Sequence, residues 1–189
     1  MRKAVITGMG VVSPVGNDID TFWASIKAGK SGLGPITRFD AAGFDSRVAA
    51  EVKDFDPSLY MDRKDARKMA LFTQFAVAAA VQAWRDAGLD GSSIDLERTA
   101  VMLGNGIGGI EIFEQSHAKL LESGPSRMLP LTVPMMIGNE AAGNIAIHFG
   151  IKGPVQTAVT ACASGSDAIG QALDMIRVGR ADVLDAGGT

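Results

Sequence analysis

A single cysteine lies where an apolar strand pattern gives way to a helical one. This junction constrains the fold more than any other stretch. Val155 to Thr160 (VQTAVT) is β-branched and apolar enough for a buried strand. From Ala163 onward the period changes, with Ala168, Ile169, Ala172, Leu173 and Ile176 recurring at helical intervals and Gly179 marking a stop. Cys162, the only cysteine in the 189 residues, is therefore expected at a strand-to-helix turn. Amides at a helix start are unpaired and the dipole is positive there, an environment that favours a thiolate. Small neighbours (Ala161, Ala163, Ser164, Gly165) leave the sulfur approachable. Two readings follow: a nucleophile, or a buried cysteine acting as a small hydrophobe.

The rest of the chain alternates between the same two patterns. Lys3 to Thr7 reads as a buried strand, followed by the loop Gly8 to Gly16 (GMGVVSPVG). Asn17 or Asp18 caps a helix carrying Phe22, Trp23 and Ile26 and stopping at Gly29. Lys30 to Tyr60 has no sustained period beyond a short strand at Val48 to Val52. Met61 to Ala87 is the longest helical pattern, with Phe72, Phe75, Ala76, Ala79 and Ala83 on its apolar face. Its first turns are basic, and Lys64, Arg67 and Lys68 fall at i, i+3 and i+4, on one side. That run reads either as a solvated face or as an anion-binding patch. Thr99 to Leu103 is a strand and Glu111 to Glu122 a helix. Leu129 to Pro134 reads as a proline-bracketed extended segment, Met136 to His148 as a helix ending at Gly150, and Ala181 to Ala186 as a strand. Gly187, Gly188 and Thr189 then look like a strand-to-helix turn whose helix is missing, as expected of a piece of a longer protein.

Between strand and helix, Gly104-Asn-Gly-Ile-Gly-Gly109 formally matches the dinucleotide-binding G-x-G-x-x-G. No strand ending in an acidic residue follows at the required ~20 residues, where prolines stand instead. The glycines therefore read as places of close backbone approach.

Composition narrows the function classes. A net charge of −3 argues against generic nucleic-acid binding, and 47% apolar residues suffice for a large core. One cysteine excludes an intrachain disulfide and fits a reducing compartment. No apolar run approaches the ~20 residues needed to cross a bilayer. A soluble cytoplasmic protein of one α/β unit, residues 1–189, is the expectation, with three or four strands of a mostly parallel sheet covered by helices.

The residues also carry a resemblance. The opening VITGMGVVSPVGND, the basic RKDARKMA at Arg63 to Ala70, the GNGIGG loop and TACASGSDAIG from Thr160 to Gly170 resemble the N-terminal half of the type II β-ketoacyl-acyl-carrier-protein synthases. These are condensing enzymes of the thiolase superfamily. GPSRMLPLTVPMMIGN at Gly124 to Asn139 and ADVLDAGGT at the end match as well. The resemblance implies the first half of a thiolase-like fold, and Cys162 as the residue that takes an acyl chain from acyl carrier protein. The chain is then condensed with malonyl-carrier protein by decarboxylation in fatty acid biosynthesis. It further implies that Gly106, Ile107 and Ala161 wall the acyl pocket, and that Thr132 and Val133 reach the neighbouring subunit's pocket. Lys64, Arg67 and Lys68 would meet the acidic carrier protein, and the strand Val155 to Val159 would pair across a homodimer axis. No metal or cofactor is implied. The family's two catalytic histidines and lysine lie in its other half. His117 and His148 do not match them: His117 reads as a surface residue, and His148 as a helix-end residue whose positive charge the dipole favours. A polyketide ketosynthase, another thiolase-superfamily acyltransferase, or a noncatalytic half-domain that dimerises or binds carrier protein are the alternatives.

Overall fold

A computed structural model describes residues 2–189. Its centre is a three-stranded parallel sheet in the order β4–β3–β5. In chain order the elements are α1 (Ile19–Lys27), β1 (Gly34–Pro35), β2 (Val48–Ala49), α2 (Arg63–Ala66), α3 (Leu71–Asp86), β3 (Thr99–Gly104) and α4 (Ile110–Ser123). They continue with α5 (Thr132–Met136), α6 (Glu140–Phe149), β4 (Val155–Ala158), α7 (Ser164–Arg177) and β5 (Val183–Gly188). The strands β1 and β2 form a separate antiparallel pair. The expected α/β class holds, with three parallel strands.

The central strand β3 is buried along its whole length, so its two faces can be read from the period of two. Ala100 and Met102 join Ala168, Ala172 and Met175 of α7 in one apolar cluster. Val101 and Leu103 join Val77, Val81 and Trp84 of α3 and Ile145 of α6 in another. The sheet is thus a middle layer between α7 and the α3–α6 pair. Parallel strands require such cover on both faces. Trp84 stacks on Phe149 with ring centroids 4.1 Å apart, joining the ends of α3 and α6.

Several expectations need correction. Lys3 to Thr7 forms no strand, and Val5 and Ile6 are 78% and 84% exposed. Among the described residues the outer edge of β5 carries no partner, and Lys3 to Thr7 forms no ladder with it. The chain next lies along α3 instead. Met9 and Val11 donate their amides to the side chains of Asp86 and Gln82. A Cβ on Gly10 would fall 1.9 Å from the Ala79 carbonyl oxygen, so only glycine permits this approach. Arg98 and Arg2 both hold Asp182 just ahead of β5, and their hydrogen bonds pull its pKa down to about 2.

The Met61 to Ala87 helix is broken into α2 and α3. Ala70 is extended between them, and the Gln74 amide donates to the carbonyls of Ala66 and Met69 freed by the break. No glycine or proline signals this interruption. It arises because Met61, Ala66 and Met69 turn into the α3–α6 cluster while Ala70 packs with Ile112 and Met135. Of the expected apolar face only Ala76 is fully buried. The buried residues are Thr73, Ala76, Val77, Ala78, Ala80, Val81 and Trp84, because α3 packs on α6, and its Ala79 side meets the N-terminal segment.

The Leu129 to Pro134 stretch is not extended to its end. It enters α5 at Thr132, where Pro134 sits in the first turn and loses no intrahelical bond. The α6 helix begins at Glu140, later than Met136, and stops at Gly150 in the left-handed conformation. β4 ends at Ala158, and Gly187 and Gly188 belong to β5 rather than to a turn. The α1 helix is capped by Asp18, whose carboxylate accepts the Thr21 amide at 2.8 Å. No helix among the described residues is long and apolar enough to cross a membrane.

Candidate functional site

Between β4 and α7 the backbone turns within the short stretch from Val159 to Ala163. Ala161 sits at φ +51°, in the left-handed region that a side chain with a Cβ disfavours by roughly 1–2 kcal/mol. Residues Ala161–Ala163 form one tight helical turn, and α7 starts at Ser164. The buried Ser164 hydroxyl clamps the turn: it accepts the Thr160 amide at 2.9 Å and donates to the Ala161 carbonyl at 2.6 Å. Cys162 is carried on this elbow and is exposed, which removes the reading of a buried hydrophobe. No side chain caps the α7 amides. An anion formed at Cys162, or on a carbonyl attacked by it, lies against the positive end of a 14-residue helix.

The neighbouring strand ends at the same point. A Cβ on Gly104 would fall 2.1 Å from the Ser164 carbonyl carbon, so the end of β3 touches the start of α7 backbone to backbone. Beyond it the glycine-rich loop closes on itself. Asn105 is buried, and its carboxamide oxygen accepts the amides of Ile107 at 3.0 Å and Gly108 at 2.5 Å. Its NH2 donates to the Thr189 carbonyl at 3.1 Å. The Gly109 amide donates to Met136. These loop amides therefore serve the fold, in line with glycines needed for close approach rather than for a phosphate.

An open depression results, lined by Cys162, Gly106, Ala161, Gly165, Ile169 and Thr189 among others. The structure thus gathers Cys162, Gly106 and Ala161. Ile107 follows Gly106 but is 75% exposed and outside this lining. Thr132 and Val133 lie on α5, away from the depression. The Thr132 hydroxyl is 2.8 Å from that of Ser116, and Val133 is exposed. Lys64, Arg67 and Lys68 are all exposed, but on a four-residue helix and the turn after it rather than on one long helical face. Lys68 pairs with Asp65 at 2.8 Å.

Neither histidine joins the cysteine. His117 is exposed and parallel to the Phe113 ring at 6.2 Å. His148 packs edge-on against Phe149. Desolvation by its neighbours, then the Arg85 charge, lower the His148 pKa, with Asp65 opposing. This is the reverse of the expectation from the helix dipole. The clamp made by Ser164, and the parts that Asn105 and Thr189 play beside the site, are not legible in the sequence. A serine opening a helix and an asparagine just past a strand carry the right turn chemistry, but neither pattern says which groups meet.

A thiol on a strand–elbow–helix turn, beside a small-residue depression in an α/β sandwich, places the chain in the class of thiolase-like folds. Residues 1–189 match the family model of the β-ketoacyl synthase N-terminal domain, and the chain belongs to that family. It is 47% identical over 188 residues to the 3-oxoacyl-[acyl-carrier-protein] synthase 2 of Coxiella burnetii and 44% identical to that of Synechocystis. Each alignment covers 100% of this chain and 45% of the relative, so the chain spans about half the length of the curated relatives it matches. Among solved structures it superposes on the ishigamide ketosynthase/chain length factor with a TM-score of 0.91 at 33% identity, over 97% of this chain and 46% of that one. It superposes on a β-ketoacyl synthase from Burkholderia phymatum with a TM-score of 0.84, also at 33% identity, over 98% of this chain and 46% of that one.

Proposed function

We propose that residues 1–189 are the N-terminal half of a β-ketoacyl-acyl-carrier-protein synthase of fatty acid biosynthesis, with Cys162 as its acyl acceptor. The observation that carries this reading is the exposed thiol on a strained elbow at an uncapped helix start. The thiolate attacks the carbonyl of an acyl thioester and the carrier's thiolate leaves, so one thioester replaces another. The Cys162 amide and the α7 N-terminus stabilise the oxyanion of the tetrahedral intermediate. In the second half-reaction malonyl-carrier protein loses CO2, its carbanion attacks the Cys162 thioester, and the thiolate is released. By the resemblance, two histidines and a lysine from the other half serve that step, and neither His117 nor His148 takes their place.

In this reading Gly106, Ile107 and Ala161 border the acyl chain. Thr132 and Val133 face a second subunit's pocket in a cytoplasmic homodimer joined along β4. Lys64, Arg67 and Lys68 attract the acidic carrier protein. The test is incubation with acyl-carrier protein followed by intact-mass analysis. One acyl adduct per chain is expected, absent in Cys162→Ala. No adduct on the wild type refutes the role of Cys162. A polyketide ketosynthase is the second reading, favoured by the ketosynthase/chain length factor likeness. Acylation by polyketide carrier proteins but not by fatty-acid carrier protein would establish it.

A further inference from the structure

The carboxyl group of Glu140 is buried at the start of α6, on no wall of the Cys162 depression. It accepts the Thr73 hydroxyl of α3 at 2.6 Å. Burial raises its pKa, the Thr73 hydroxyl and the nearby Ala70 amide oppose the rise, and Glu111 adds to it. A chain gains little by burying a carboxylate unless the donors it holds must be fixed in place. Thr73 lies in the first turn of α3, just after the break that follows α2, and that turn has no side-chain cap. Glu140 therefore ties the first turn of α3 to the start of α6 through the Thr73 hydroxyl.

That first turn is a junction. Immediately before it runs the basic segment that carries Lys64, Arg67 and Lys68. Ala70 packs against Gly109, where an added Cβ would sit 3.2 Å from the Ala70 methyl, and Gly109 ends the loop that begins at Gly104. The Phe72 carbonyl accepts the Thr189 hydroxyl at 2.7 Å, and the Thr189 carbonyl accepts from Asn105. Resting on the function proposed above, we infer that Glu140 is a positioning residue: it fixes the basic segment relative to the Cys162 site, so that a carrier docked on one delivers its thioester to the other.

The test compares Glu140→Ala, Glu140→Gln and Thr73→Val in the full chain. Acylation of Cys162 is measured with hexanoyl-carrier protein and with the small thioester hexanoyl-N-acetylcysteamine, and hydrogen exchange is followed along the chain. Glu140→Ala is expected to raise the KM for the carrier-bound donor by about fivefold or more, in the range of a lost charge-assisted hydrogen bond. The KM for the small thioester should stay within about twofold, as for a site beyond direct contact. Glu140→Gln keeps an acceptor for Thr73 and restores the carrier KM. Exchange should rise in residues 63–73 and not across the sheet. Equal losses with both donors, or failure of the glutamine to rescue, would overturn the inference. So would unchanged exchange at residues 63–73. A wild type that takes no acyl group from the carrier refutes the proposed function instead, and the exchange pattern then decides on Glu140 alone. Should Glu140→Ala not fold, Thr73→Val removes the same bond at constant shape and must loosen the same segment.

Discussion

Asp185 offers the sharpest test of the fold's energetics. It stands mid-strand in β5, opposite Val101 of β3, on the face turned toward α3 and α6. Leu184 beside it points the other way, into the α7 cluster. A carboxyl group on an apolar face loses hydration, and burial alone pushes the Asp185 pKa from 3.8 to about 6. The folded chain thus holds this proton more tightly than the unfolded chain, and stability falls as pH rises between about 4 and 6. Above that window the full penalty is present. A shift of this size corresponds to at most about 3 kcal/mol. The side chain keeps some contact with water at the sheet edge, so about 1–3 kcal/mol is the expected range. Asp185→Asn removes the ionisation at nearly constant volume. Urea unfolding should find the variant more stable than wild type by about 1–3 kcal/mol at pH 8, with the difference largely gone at pH 4. An equal difference at both pH values, or a less stable variant at pH 8, would refute the reasoning.

Three other perturbations probe the elbow and the basic segment. Ser164→Ala leaves the Thr160 amide without its partner, and should cost about 1–3 kcal/mol in urea unfolding while changing the iodoacetamide rate at Cys162. An unchanged rate would mean the clamp does not hold the thiol. Ala161→Gly relieves left-handed strain against a larger loss of chain entropy, so a net gain of about 0–1 kcal/mol is expected, whereas Ala161→Val should destabilise by more than about 1 kcal/mol. A thermal melt ranking valine above glycine would contradict the strain. Lys64→Glu or Arg67→Glu should weaken capture of acidic carrier protein, most at low salt, without altering alkylation of Cys162. Salt-independent binding equal to wild type in a fluorescence titration would remove the patch from the docking surface.

Local order determined much of this protein. The strand-to-helix junction at Cys162, the caps at Asp18 and Gly150, and the central strand Thr99 to Leu103 are written in periods of two and 3.6 and in turn residues, signals that act within a few residues. The family likeness is carried by equally local motifs. What only the tertiary structure decided depends on partners distant in sequence. Lys3 to Thr7 has a strand's composition, but β structure exists only where a ladder forms, and this segment pairs with no strand among the described residues. Met61 to Ala87 has a helix's period, but the burial of Met69 and Ala70 in different clusters, and the Gln74 side chain that satisfies the freed backbone, outweigh it. The strain at Ala161 is invisible in a residue whose own preference is helical. It exists because the Ser164 hydroxyl and the contact at Gly104 over-determine the turn, and that constraint is what brings the thiol of Cys162 to the surface.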